Sequence, residues 1–120
     1  MTRSACLFLS LFAVVSLSLP LCVADSATEE VKLQVKFGVR AAKEGHWDEA
    51  IYRWKKTVLL DPNNLMAHNN LAVAYEQLGE YDLALEEYQT AFKLNSQSDV
   101  VKNNLDRFRD FYKKYQSRKH

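Results

Sequence analysis

The sequence predicts an all-α fold, built as a stack of helical hairpins. Residues 31–64 and 65–98 repeat each other with a period of 34. Gly45 of the first unit returns as Gly79 in the second, and apolar residues recur at helical spacing on both sides of each glycine. A fixed period of this length is typical of stacked helical arrays, because each unit has an apolar face that it cannot bury alone. Such arrays usually bind partners and rarely catalyse reactions.

The first 24 residues predict a secretory signal peptide. Arg3 is the only charge ahead of an apolar stretch, Pro20 breaks that stretch, and small residues precede the expected cleavage site after Ala24. Two alternatives stay open: an uncleaved membrane anchor, since about 20 apolar residues can span a bilayer, and a lipid on Cys22. The protein is therefore expected to be exported, to a periplasm or to the outside, and mass spectrometry of its native N terminus tests this expectation.

Both cysteines, Cys6 and Cys22, lie in that leader, so the processed chain contains none. This excludes disulfides, thiol nucleophiles and thiolate metal sites from the mature protein. Without the leader, residues 25–120 carry 15 basic and 15 acidic side chains, so bulk charge gives no case for a nucleic-acid partner.

The charges are unevenly distributed along the mature chain. Basic and acidic side chains number 7 and 4 in residues 31–64, 1 and 5 in residues 65–98, and 7 and 3 in residues 99–120. An acidic unit therefore lies between two basic ones.

The first hairpin follows a short polar linker, residues 25–30. Its first helix is expected to begin at Val31 and to end near Glu44, and Gly45 suits the left-handed turn that closes a helix. Its second helix is expected to begin near Trp47 and to stop before Pro62, because proline lacks an amide hydrogen. The second hairpin repeats this plan with helices over Leu65–Leu78 and Tyr81–Leu94.

A fifth helix is expected after Ser98, which can cap its first turn. Its apolar positions are Val101, Leu105, Phe108, Phe111, Tyr112 and Tyr115. Charged residues alternate with them, namely Lys102, Asp106, Arg109, Lys113 and Lys114. Terminal repeats need such a helix, which covers the open apolar edge and is polar outside.

Core spacing predicts burial for the large apolar residues of the two hairpins. These are Phe37, Trp54, Tyr75, Tyr88 and Phe92.

Both units resemble the tetratricopeptide repeat (TPR). The matches are the small residues Gly38 and Ala72, the alanines Ala50 and Ala84, the aromatic residues Trp54 and Tyr88, and Pro62. The chain departs from the motif at Gln34, Ala41, His68 and Ser96. The resemblance implies a right-handed superhelical stack of two TPR hairpins plus a C-terminal capping helix. It also implies a concave groove that holds a peptide or a helix of a partner protein.

The family pattern assigns partner-binding positions to the first helix of each unit and to the capping helix. They are Lys32, Val35, Lys36, Val39 and Lys43, then Asn69, Asn70, Val73 and Gln77, then Asn103, Asn104, Arg107 and, less firmly, Asp110. Cations and amides among small apolar groups suit an extended backbone or an acidic segment.

Some TPR domains hold the carboxyl terminus of heat-shock chaperones through lysine and asparagine on helix one, asparagine on helix three and basic residues on helix five. Only Asn70 matches here, since Val35 and Val39 take the helix-one positions, and Val100 and Asn104 those on helix five. The resemblance therefore does not imply binding of chaperone tails.

No arrangement of residues indicates an enzyme or a cofactor. His46, His68 and His120 are widely separated and are interpreted as surface histidines, and the neighbours Glu86 and Glu87 as a solvated helix face. We therefore predict a non-catalytic protein-interaction module.

Two other functions stay open. One is an envelope assembly factor, such as a lipid-anchored pilotin. The other is a self-associating scaffold, in which the acidic unit of one chain meets the basic ends of another. The aromatic residues near the basic C terminus are a further candidate contact surface, for an acidic partner or a membrane.

Overall fold

A computed structural model describes residues 19–119, with side chains from residue 26 onwards. Its helices, in chain order, are α1 (Leu19–Lys43), α2 (Trp47–Leu60), α3 (Leu65–Gln77), α4 (Tyr81–Leu94) and α5 (Asp99–Lys119). The predicted all-α class and the two hairpins with a fifth helix are confirmed. Most of the predicted leader, including Arg3 and Cys6, lies outside the described residues, as does His120. Within residues 19–119, no helix combines the length and the apolar character needed to cross a membrane.

The prediction of a linker over residues 25–30 was wrong, because these residues belong to α1, which begins at Leu19. Glu30 accepts a hydrogen bond from Gln34 at 2.7 Å and pairs with Lys56 of α2 at 3.1 Å. These contacts favour helix over linker at this point.

The two glycine turns are built alike, as the period predicts. Gly45 and Gly79 have φ angles of 79° and 76°, in the left-handed region that disfavours other residues. After α1, the amide of His46 donates to the carbonyl of Ala41 at 2.9 Å; after α3, the amide of Glu80 donates to that of Tyr75, also at 2.9 Å. Both ends are Schellman motifs, which satisfy carbonyls that the helix leaves unpaired.

The core lies between the paired helices, where small residues allow close approach. Ala50 and Ala84 are fully buried at equivalent positions, next to the large rings of Trp54 and Tyr88. Gly38 is pressed against Trp54, so closely that a Cβ there would lie 2.3 Å from the indole Nε1. The resemblance identified these packing positions correctly.

The prediction that Phe37 is buried was wrong, and Leu59 of the apolar run in α2 is also exposed. Phe37 is 40% exposed, because no described helix precedes α1 to cover it. Leu59 is 82% exposed. At about 100° per residue it lies roughly 200° around α2 from the buried Thr57, and therefore on the solvent side.

Helix α5 covers the open side of α4, as expected for a cap. Val101, Leu105 and Phe108 are buried, and the ring of Phe108 lies 5.2 Å from that of Tyr88. The charged residues predicted for the outer face are all exposed: Lys102, Asp106, Arg109, Lys113 and Lys114. Residues Phe111, Tyr112 and Tyr115 extend the aromatic packing around Tyr81 and Phe108.

Candidate partner-binding groove

A cavity of about 270 Å³ opens where α1, α2 and α3 meet. Four of the predicted groove residues line it: Val39, Lys43, Asn70 and Val73. The remaining lining residues are Ala42, Trp47 and Trp54. The cavity is thus mainly apolar, with one cation and one amide, a combination typical of binding pockets.

The two tryptophans are the part of this pocket that the sequence reasoning missed. Trp54 was assigned only to the core and Trp47 only to the start of α2, yet both line the cavity. Trp54 is held in place from behind, since its Nε1 donates to the carbonyl of Val35 at 3.4 Å. The useful signal was the spacing of seven residues between them, which puts both rings on one face of α2.

The asparagines predicted for the groove have unequal roles. The Asn104 amide of α5 donates to Asn69 of α3 at 3.0 Å, so this pair links the two helices. Asn70 instead lies at the pocket, and Asn103 is exposed. The paired Asn-Asn repeats of the sequence therefore supply one structural bridge and one pocket residue.

Arg107 also joins α5 to the repeats. Its guanidinium makes two parallel hydrogen bonds with Glu76, at 2.7 and 2.8 Å, and the hydroxyl of Tyr88 donates to the same carboxylate at 2.9 Å. Arg107 holds the pKa of Glu76 below its usual value, and burial raises the pKa of Tyr88. A lowered carboxyl pKa means that the contribution of this pair to stability is lost only as the pH falls through that lowered value.

The other predicted groove residues are dispersed around the pocket. Lys36 lines a shallow depression on α1 together with Val39, Arg40 and Lys43. Lys32 is exposed and pairs with Glu29 at 3.6 Å. Val35 is partly buried, and Gln77 and Asp110 are exposed.

The interpretation of His68 as a surface histidine was wrong. Its side chain is buried, with Nδ1 at 2.6 Å from a carboxylate oxygen of Glu87 and Nε2 at 2.8 Å from the carbonyl oxygen of Pro62. The prediction that Glu87 lies on a solvated helix face was therefore also wrong, because Glu87 is partly buried and contacts His68. A carbonyl can only accept, so Nε2 donates to it, and both ring nitrogens are engaged. His68 therefore ties α3 to α4 and to the preceding turn, with no free nitrogen for acid–base catalysis.

The equivalent position in the first repeat is Gln34, which is also buried and polar. Its side-chain oxygen accepts from Arg53 at 3.4 Å, and Arg53 occupies the position that Glu87 has in the second repeat. Gln34 and His68, two of the departures from the repeat motif, are thus each hydrogen-bonded to a polar side chain of the paired helix. Within the part of the chain that the structure describes, no group of His, Cys, Asp or Glu could hold a metal ion.

Among curated proteins, a similar one is the protein O-mannosyl-transferase F38B6.6 of Caenorhabditis elegans. It is 25% identical over 86 residues, which cover 72% of this chain. The chain spans only 12% of the length of that protein, so the likeness concerns a small part of it.

Two solved structures are similar in fold. One is the C-terminal TPR-containing domain of a Plasmodium falciparum protein described as FK506-binding, with a TM-score of 0.74, 19% identity and coverage of 88% of this chain and 70% of the other. The second is a TPR domain of Spaghetti (RPAP3) bound to the HSP90 peptide SRMEEVD, with a TM-score of 0.67, 21% identity and coverage of 75% and 85%.

The family comparison covers the repeats and the capping helix together. A model described as a domain of unknown function (DUF6340) matches residues 36–117, which exceed half of the chain. The match begins within α1 and ends within α5, so it treats the two hairpins and the cap as one unit. The chain has the TPR fold, and it belongs to the family described as a domain of unknown function (DUF6340).

Proposed function

We propose that this protein binds a peptide or helix of a partner protein, without catalysis, in the groove between α1 and α3. The observation that carries the proposal is the apolar pocket with Lys43 and Asn70 in its lining. Val39, Trp47 and Val73, which are partly exposed, offer contact area for one apolar side chain of the partner, whereas Trp54 also lines the pocket but is only 3% exposed. Anchors of this kind supply most of the binding energy in protein interfaces.

The polar groups around the pocket favour a partner with an exposed backbone and acidic side chains. The Asn70 amide has both a donor and an acceptor, which a peptide bond can satisfy. Lys36 and Lys43 lie two turns apart on one face of α1 and add positive charge beside the pocket. The RPAP3 domain, whose peptide contains acidic residues, supports this choice of partner. The valines at positions 35 and 39 favour a peptide other than a chaperone tail.

The proposal includes export, because residues 1–24 have the pattern of a signal peptide. A pilotin-like role would need the lipid on Cys22. The scaffold alternative is less well supported than the groove. Three of the five acidic side chains of the second repeat have partners within the chain: Glu76 binds Arg107, Glu87 binds His68, and Asp82 accepts from Tyr112. Fewer carboxylates are then available for the basic ends of another chain.

Replacing both Lys36 and Asn70 with alanine is expected to weaken peptide binding by about 1 to 3 kcal/mol, because each removes a polar contact. Heptapeptides selected from a random phage library against the intact chain serve as the probe, with dissociation constants measured by calorimetry. Helicity should be unchanged, since Lys36 is exposed and Asn70 borders a cavity. A Val73→Glu variant should block the pocket independently.

The matched control is Lys113→Ala, which removes an exposed cation of α5 that does not line the pocket. It should leave affinity unchanged. Selected peptides that bind all four proteins equally well would show that the groove is not the binding site, and failure to select any peptide would contradict the proposal as a whole.

A further inference from the structure

One stripe of residues along α1 is exposed, although the residues at the equivalent positions of α3 and α5 are buried. Ala67, Leu71 and Ala74 of α3 are at most 2% exposed, and so are the equivalent residues of α5, Val101, Leu105 and Phe108. The residues at this register in α1 are Leu33, Phe37 and Arg40. Leu33 is 38% and Phe37 40% exposed, and the Arg40 side chain is 75% exposed.

The difference follows from the order of the helices. Helix α2 packs against α3, and α4 packs against α5, so each of those stripes faces the preceding helix. Among residues 19–119, nothing precedes α1. Its stripe thus has the register of a helix-packing surface, with two large apolar side chains at its centre.

We propose that a second copy of this chain covers the stripe, with its own α1 running antiparallel to the first. With the pair centred on residue 35, Leu33 of each copy contacts Phe37 of the other. The same patch then serves on both copies, which is the arrangement of a twofold dimer.

The charges on α1 favour this partner and this direction. Glu29 and Glu30 lie on the N-terminal side of the stripe, and Lys36 and Arg40 lie on its C-terminal side. Antiparallel pairing brings the acidic end of each helix to the basic end of the other, and parallel pairing would oppose like charges. Arg40 is free to change partner, because its bond to Glu44 is long, 3.4 Å, and exposed.

The neighbouring cation does not oppose the pairing. The Arg53 guanidinium lies 5.5 Å from the centroid of the Phe37 ring, but it is already neutralised by Glu49 at 2.6 Å.

The opposite end of the stack, at α5, does not compete for the second copy. At the α5 positions where a following helix would pack, the side chains are charged and exposed: Lys102, Asp106 and Arg109.

Light scattering of the intact chain, from low micromolar to several hundred micromolar, tests the dimer. The mass should rise from one chain towards two and then stop. Phe37→Glu should raise the dimer dissociation constant by about tenfold or more, because it replaces the apolar ring at the centre of the contact with a charge that must be desolvated. The matched control, Leu83→Glu, changes an apolar residue of α4 that is 43% exposed and should leave association unchanged.

A charge-reversal pair tests the direction of pairing without changing Phe37, so it does not depend on how Phe37→Glu folds. Arg40 lies opposite Glu30 in a pair centred on residue 35. Arg40→Glu should therefore weaken the dimer, and adding Glu30→Lys should restore it. A one-chain mass at every concentration overturns the proposal. So does a mass beyond two chains, a dimer that tolerates Phe37→Glu, or a double reversal that fails to restore association.

Discussion

Ending the chain after Ser98 is expected to abolish cooperative unfolding. The truncation removes α5, whose Val101, Leu105 and Phe108 are all buried against the repeats. It also leaves Glu76 without Arg107 and Asn69 without Asn104. Two repeats fall short of the three or so that such stacks usually need, and a domain this small has only about 5 to 15 kcal/mol of stability. The ellipticity at 222 nm, followed during heating, measures the effect.

A single substitution in α5 measures how much its packing contributes to stability. Phe108→Ala should lower the free energy of unfolding by about 3 to 5 kcal/mol, since the fully buried ring contacts Tyr81, Tyr88 and Tyr112. Arg109→Ala is the control, because its side chain is exposed on the same helix and its loss should change stability by less than about 0.5 kcal/mol. A truncated chain that keeps the full, sharp helical melt would show that α5 is dispensable.

Gly38→Ala is expected to destabilise the first repeat by about 3 kcal/mol, the upper end for overpacked cores. Alanine normally stabilises a helix by about 1 kcal/mol over glycine. Here the new Cβ would lie 2.3 Å from Nε1 and 2.7 Å from Cδ1 of Trp54. Trp54 is 3% exposed and its Nε1 donates to the carbonyl of Val35, so moving the ring aside disturbs the core and this hydrogen bond, and we expect that cost to outweigh the gain in helix propensity. Urea denaturation measures the change.

The second repeat supplies the compensating variant. There Ala72 occupies the glycine position and Tyr88 the tryptophan position, and both are fully buried. Combining Gly38→Ala with Trp54→Tyr should therefore recover most of the lost stability, whereas Trp54→Tyr alone should leave a void beside Gly38. Additive losses in this double-mutant cycle would mean that the two residues do not compete for space.

The sequence predicted the parts of the fold that recur. The period placed Gly45 and Gly79 in identical turns, and Ala50, Ala84, Trp54 and Tyr88 in the core, because each pair occupies the same environment in successive repeats. It also identified α5 as a cap from its alternation of apolar and charged residues. The prediction was wrong at His68, because a buried histidine and a surface histidine look alike until the paired helix shows Glu87 beside the ring.

The site was only partly predictable for a related reason. The family register selects Val39, Lys43, Asn70 and Val73, and these do line one pocket. The same register also selects Asn69, Asn104 and Arg107, whose hydrogen bonds link α3 with α5. Register gives the face on which a side chain lies, but the neighbouring helix decides whether that side chain is available to a partner.

The class of fold, the order of the helices and the residues that pack within each repeat could therefore be predicted from the sequence, because these depend on spacing along one chain. The tertiary structure decided what happens between elements that are distant in sequence. In the folded chain, Trp47 and Trp54 line the pocket, Arg107 of α5 binds Glu76 of α3, and Phe37 of α1 is exposed. Each of these outcomes depends on whether another helix covers a given face, and that is a property of the assembled stack.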